Sequence, residues 1–365
     1  MSKIREAVPE DNEALLTLAE QCPMAGDISL CVDRRPDFFA LSRLEGDPWL
    51  VGVVDLGDGP VACAGVARRE VYLNGSPTPI VYIGDIKVLP GARRRGLARE
   101  LLHWTREKAC ELVGPDGVKL STIMAGNEPA TRLFQEFTAD GAPGAPRARL
   151  RSHSIQLLWK RRIRQAGLTV REAAPSDVPA MVEAWRRVAS GRQLAPVHDE
   201  ASFLEWIGAA PGLELSDYLV AFTPGGAVAG FLGLWDQHSF KQMRVVGYTP
   251  QLARVRTLTR VLAPVLKAPP LPEPGGELRY RSVVNPCAED PIVLSALLKS
   301  AANRLHGRGY SVLTIGLDAH DPLNDALRGL VSQPSDTDVW IDPVMPGAAE
   351  IDLGGAPVHF EIGTV

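Results

Sequence analysis

The sequence predicts an α/β protein built as two copies of one unit, and three observations carry that expectation. Ile4-Arg5-Glu6-Ala7 followed by Pro9 and Asp11 returns as Val170-Arg171-Glu172-Ala173 followed by Pro175 and Asp177, five of eight positions matching at one offset. A hairpin pattern, Leu50 to Val54 and Val61 to Val66, returns as Tyr218 to Phe222 and Val228 to Leu234 around Pro224-Gly225-Gly226. Each copy also sets strand-like apolar runs beside stretches of helical spacing, which repetition explains better than chance.

In chain order, Pro9 and Asp11 start a helix with Ala14, Leu15, Leu18 and Ala19 on one side; Met181, Val182 and Trp185 take those places in the second copy. Phe38-Phe39-Ala40-Leu41 has its counterpart in Phe203-Leu204-Glu205-Trp206. After the first hairpin Val71-Tyr72 opens a strand, Asn74-Gly75 marks a turn, and Ile80 to Val88 is a strand stopped by Pro90-Gly91. A helix follows, with Leu97, Leu101, Leu102, Ala109, Leu112 and Val113 at helical spacing and Gly114 as its cap. Val118 to Ala125 reads as a buried strand, Asn127 to Phe134 opens the next helix, and residues 141–146 form a Pro/Gly loop. His153 to Trp159 is expected to return to the sheet and close the first copy. The basic stretch 160–165 reads as a linker, dividing the chain into domains 1–165 and 166–365. In the second copy residues 236–276 are an insertion, with a helix expected from Leu252 to Val265 and a Pro-rich loop at 268–274. A helix bearing Leu294, Leu298, Ala301 and Leu305, a strand from Tyr310 to Leu317, and strand-like Val339 to Ile341 and Val358 to Ile362 complete it.

Composition excludes several classes. With 365 residues the chain exceeds one ordinary core, and 39 basic against 43 acidic residues give no global attraction to nucleic acid. No run approaches the ~18 apolar residues of a membrane span, and the polar start Met1-Ser2-Lys3 is no signal peptide, so no membrane partner and a cytoplasmic location are expected. Cys22, Cys31, Cys63, Cys110 and Cys287 are dispersed and odd in number, which predicts reduced thiols. The seven histidines show no metal-ligand spacing, so no metal is expected.

The charge around the third helix is unusual. A helix N-terminus carries partial positive charge and unpaired N–H groups, yet Arg93, Arg94 and Arg95 directly precede this one. The arrangement is favourable when a multiply charged anion uses both the amides and the guanidinium groups, with Gly96 and Ala98 permitting close approach. A diphosphate fits.

Val88-x-Pro90 followed by Arg93-x-x-Gly96-x-Ala98 resembles the acyl-CoA pyrophosphate loop of the GNAT N-acetyltransferase superfamily, and Asn127-x-x-Ala130-x-x-Leu133-Phe134 resembles its Asn-x-x-Ala-x-x-Leu-Tyr segment. The resemblance implies two tandem GNAT-like domains, each a mixed, mostly antiparallel sheet flanked by helices. It implies acetyl-CoA or a related acyl-CoA as cosubstrate and an amine of a small molecule or peptide as acceptor. By position it gives cofactor contacts to Ile86, Lys87, Val88, Arg93, Arg94, Arg95, Gly96, Leu97, Ala98, Asn127 and Phe134. Asp85 is the candidate base, against the alternative of an Asp at a strand bulge; Asp27, Asp33 and Asp37 lie in the segment that often walls the acceptor site, either to bind a cationic substrate or as surface charges. Phe134 stands where many members have a tyrosine acid, which leaves the thiolate to water or to a hydroxyl such as Tyr82, and leaves open a non-catalytic acyl-CoA sensor or scaffold. In the second copy, pairing Pro286 with Pro90 sets Glu289 opposite Arg93 and Ile292 opposite Gly96; a carboxylate there repels a diphosphate, so this copy is expected to be structural or acceptor-shaping. The acceptor's identity and the oligomeric state leave no mark on the sequence.

Overall fold

The repeated opening phrase is a folding device. Arg5, in β1 (Ile4–Glu6), donates two guanidinium N–H groups to the Asp11 carboxylate at 2.7 and 2.8 Å, and that carboxylate also accepts the Val8 amide at 2.8 Å. Arg171, in β8 (Thr169–Glu172), Asp177 and Ala174 reproduce the set at 2.6, 2.9 and 2.8 Å. In each copy a Pro-led 3-10 turn then runs into a helix, α1 (Asn12–Glu20) or α5 (Val178–Ala189), so one Asp ties the first strand to the first helix. The computed structural model describes residues 4–24, 26, 28–57, 59–138, 144–163, 167–250, 252–254, 256, 269–346 and 351–364.

The first copy continues through β2 (Ile28–Asp33), α2 (Phe39–Glu45), β3 (Trp49–Asp55), β4 (Pro60–Leu73), β5 (Ser76–Val88), α3 (Leu97–Val113), β6 (Val118–Met124), α4 (Glu128–Thr138) and β7 (Ala148–Gln156). The second has α6 (Glu200–Ala209), β9 (Tyr218–Phe222), β10 (Val228–Trp235), β11 (Gln242–Tyr248), β12 (Glu277–Leu278), β13 (Tyr280–Ala288), α7 (Pro291–Leu305), β14 (Val312–Asp318) and β15 (Ser332–Pro343). Twelve strands form one sheet in the order β1-β3-β4-β5-β6-β15-β7-β14-β13-β10-β9-β8. Pairing is antiparallel except for β5 with β6 and β13 with β14, giving two GNAT-like halves in mirror order. Helices cover the faces: Leu101 and Leu102 of α3 and Leu297 and Leu298 of α7 are fully buried, each burial being worth about 1.5–3 kcal/mol.

The halves exchange strands. Residues 153–156 do return to the sheet, but β7 lies between β14 and β15, both from the C-terminal half, while β15 lies between β6 and β7. The insertion also crosses over: β11 pairs antiparallel with β2, and β12 completes a separate three-stranded sheet. The helix expected in the insertion and the loop expected at 141–146 fall largely outside the described residues. The tail expected as a strand at Val358 to Ile362 forms one isolated bridge, Val358 to Gln193, and ends in a 3-10 turn at Ile362–Thr364, because it fills a gap between strands and pairs with no edge.

Candidate functional site

β5 and β6 pair in parallel only from Ile80/Val118 to Ile83/Ser121 and then part, leaving the β6-facing edge of Gly84 to Val88 without a strand partner. On its other side β5 remains paired with β4, but the register slips between Cys63/Lys87 and Gly65/Gly84, so Asp85 and Ile86 form a bulge with Asp85 at φ +52°. Tyr82 sits at the parting point: its hydroxyl lies 3.4 Å from that of Thr122 on β6, and a Cβ on Gly84 would stand 2.7 Å from its ring. A narrow opening with free backbone on one wall and a phenol at its base results.

The arginine loop lies at the outer end of this opening. Arg93, Arg94 and Arg95 are exposed, and none has a carboxylate partner among the described residues. Arg94 at φ +64° and Gly96 at φ +80° place the chain in the left-handed region on either side of Arg95, the kind of path that gathers successive amides into an anion-binding hollow. Gly96 caps α3 without any side-chain hydrogen bond, and a Cβ built on it would meet no atom within 4 Å, so the first-turn amides are open to an approaching anion. Leu97 is buried beneath and Ala98 half-buried beside it.

On the face opposite α3 charged groups gather, with Arg34, Glu45 and Lys241 buried and Arg69, Asp85 and Lys87 half-buried. Asp85 is ion-paired with both Arg34 Nη1 and Lys87 Nζ. Burial alone would raise its carboxyl, but the two cations hold it well below the usual range, so Asp85 is a bulge anchor and too weak a base for an ammonium. Arg69, whose guanidinium stacks 4.2 Å from the Tyr82 ring centroid, donates to the carbonyl of Glu45, the last residue of α2. Burial pushes the Tyr82 phenol up, so it stays protonated. Lys241, 1% exposed, donates to the Gly363 carbonyl at 3.2 Å, and burial, reinforced by Arg34, brings its ammonium down to about 7.

Other expected residues are placed elsewhere. Asn127 caps α4, its side-chain oxygen accepting the Ala130 amide at 3.3 Å. Phe134 is buried against Trp340, in a cluster with Leu102, Ile123 and Phe137. Asp33 is engaged by Arg35 at 3.1 Å and Arg244 at 3.0 Å, Asp37 pairs with Arg43, and Asp27 is outside the described residues. Cys31 lies within β2 and burial raises its thiol; burial pushes the Cys63 thiol up to about 12. Among the described residues no group of side chains has the makings of a metal site, and no helix is long and apolar enough to cross a membrane. The glutamate at position 45 and Arg34 carried no sequence signal beyond helix-end and loop charges.

The second copy has the same bulge and a filled gap. β13 leaves β14 after Ser282/Thr314, and Asn285, at φ +46°, is the counterpart of Asp85. The C-terminal turn enters there: Glu361 Oε1 accepts the Asn285 amide at 2.9 Å, and Cβ atoms on Gly316 and Gly363 would meet Ile362 at 2.4 Å and Val284 at 3.1 Å. Strand register pairs Pro286 with Ile86, and the helix caps pair Asp290 with Gly96, so the alignment through Pro90 was several residues off. Eleven residues run from Asp85 to Gly96 but five from Asn285 to Asp290, too few for the loop, and the Asp290 carboxylate accepts the Ile292 amide where an anion would sit.

The splayed strand pair beside an arginine-led helix N-terminus has the layout of a GNAT-type fold. Residues 12–138 match the profile of the acetyltransferase (GNAT) family. No curated protein sequence matches the chain. Among solved structures it is similar to a GCN5-related N-acetyltransferase from Sphaerobacter thermophilus (TM-score 0.58, 16% identity, 94% of this chain and 96% of the other). It is also similar to Saccharomyces cerevisiae N-myristoyltransferase with bound myristoyl-CoA (0.63, 13%, 99% and 90%) and to a probable N-acyltransferase from Enterococcus faecalis (0.52, 10%, 94% and 73%). At these identities the likeness is one of fold.

Proposed function

We propose that the protein transfers an acyl group, acetyl or a related one, from a CoA thioester to an amine of a small molecule or peptide. The observation that carries this reading is the opening between β5 and β6 with a bare helix N-terminus at its mouth and three arginines that have no carboxylate partner among the described residues. Arg93, Arg94 and Arg95 and the amides of Gly96, Leu97 and Ala98 hold the diphosphate; the free edge at Ile86, Lys87 and Val88 holds the pantetheine and polarises the thioester carbonyl. Tyr82, protonated and at the base of the opening, supplies the hydroxyl that Phe134 lacks. The filled gap in the second copy supports one cofactor site per chain, with that copy walling the acceptor side through β11.

Calorimetry with acetyl-CoA and longer acyl-CoAs, then CoA release with polyamines, amino acids, aminoglycosides and peptides, tests the reading. Binding with turnover on at least one amine is expected; absence of binding to every CoA thioester overturns it. One feature favours binding without turnover, the hydroxyl-free Phe134 packed into the core, and tight binding with no acylation of any amine selects that reading.

A further inference from the structure

Glu45 is 5% exposed, and its carboxylate makes no hydrogen bond or ion pair with any described residue. Beside it, Nε and Nη2 of Arg34 and Nη2 of Arg69 are buried without a hydrogen-bond partner among the described residues. Buried polar groups are ordinarily matched to one another, and a set that holds donors and an acceptor yet leaves them unmatched is shaped for a polar guest. Its location is specific. Glu45 lies within electrostatic reach of Arg69 on β4, Tyr82, Asp85 and Lys87 on β5, Arg34 after β2 and Lys241 after β10, on the face of the β5–β6 opening away from α3.

We propose that Glu45 is the catalytic base that takes a proton from the acceptor's ammonium group, an assignment that rests on the acyltransfer reading above. The ammonium N–H bond breaks and its proton passes to a Glu45 oxygen, freeing the lone pair. Nitrogen then bonds to the thioester carbon as the C–S bond breaks; the remaining excess proton on nitrogen reaches the departing sulfur through the Tyr82 hydroxyl, which gives one proton and regains another. Amide and free thiol leave, and Glu45 returns its proton to water. Burial, with the Asp85 carboxylate adding to it, lifts the Glu45 carboxyl to about 7 against the pull of Arg69, Arg34 and Lys87. A carboxylate in that range accepts a proton from an ammonium far better than one held ionised by two cations, as Asp85 is.

The test compares wild type with Glu45→Gln by thiol release from acetyl-CoA, using the panel amine that the wild type acylates fastest. At pH about 7 kcat/KM is expected to fall by ~10²–10⁴, while the acetyl-CoA dissociation constant and the melting temperature hold. The wild-type rate falls as pH drops through about 7, the limb belonging to Glu45. That limb vanishes in the variant, and the deficit narrows at least about tenfold by pH ~9.5, where more of the amine is already neutral. A loss of less than about tenfold, a deficit equal at every pH, or a parallel loss of acetyl-CoA binding overturns the assignment. A wild type that binds acetyl-CoA but acylates nothing also overturns it while leaving cofactor binding intact; failure to bind acetyl-CoA sinks the acyltransfer reading itself.

Discussion

Replacing Arg93 and Arg95 together by alanine should weaken the cofactor and strengthen the free protein. Neither guanidinium has a carboxylate partner among the described residues, and Arg93 makes one long contact, Nε to the Val88 carbonyl at 3.3 Å, so little of the fold depends on them. Two cations ahead of α3 oppose its dipole, and their removal should stabilise the unliganded chain by about 0.3–1 kcal/mol each. If each donates one charged hydrogen bond to phosphate, worth ~1.5 kcal/mol at the low end, about 3 kcal/mol of binding is lost, or roughly 100-fold in affinity. Calorimetry with acetyl-CoA and with S-acetylpantetheine, which has no diphosphate, separates the cause. The variant should lose affinity for the first and keep it for the second, with the unliganded melting temperature unchanged or higher. Equal losses for both ligands, or unchanged acetyl-CoA affinity, would refute the diphosphate cradle.

Tyr82→Phe removes a hydroxyl whose one hydrogen-bond partner among the described residues, Thr122, is 3.4 Å away; stability should change by less than ~1 kcal/mol, and kcat should fall by about 10–100-fold with KM little altered, read from steady-state thiol release. Asp85→Asn strips the counter-charge from Arg34, which is 3% exposed, and should cost about 3–5 kcal/mol in a urea melt; it should also lower the carboxyl of Glu45, which Asp85 now raises, moving the acid limb of the rate profile to lower pH. The Asp11 and Asp177 carboxyls are held below their usual range, first by hydrogen bonds from Arg5 and Arg171. Because the folded values are depressed, their contribution is present above pH ~4 and lost as pH falls further. Asp177→Asn should therefore cost about 1 kcal/mol at pH ~7 and less near pH ~2, by urea melts at both.

The repeat was legible because the matched letters carry a local mechanism: Arg5 and Asp11 lie six residues apart and tie a strand to its helix, as Arg171 and Asp177 do. The arginine loop was legible for the same reason, since three cations before a helix violate its electrostatics within one turn. Asp85 stood out as a charge in an apolar strand, and it does sit at a bulge; its partner Arg34, 51 residues away, could not be seen from it. Strand order was invisible because alternation reports which face is buried and not which neighbour a strand takes, so β7 and β15 could not be told from strands that close their own halves. Glu45 was missed because a glutamate ending a short helix looks like a solvated one until β4, β5 and residues from the second copy close over it. The offset of the second loop was misjudged because paired leucines in α7 and α3 align well whether or not the connection before them has been shortened.

The strand exchange has a consequence for how the protein is made. As the chain emerges from the ribosome, the first GNAT unit can form its hairpins and α3, but the gap beside β6 stays open until Ser332–Pro343 has been synthesised, more than two hundred residues later. The nascent unit therefore waits with an unpaired inner edge, and a stop codon anywhere before residue 332 deprives both halves at once, since β7 would lose its β15 neighbour as well.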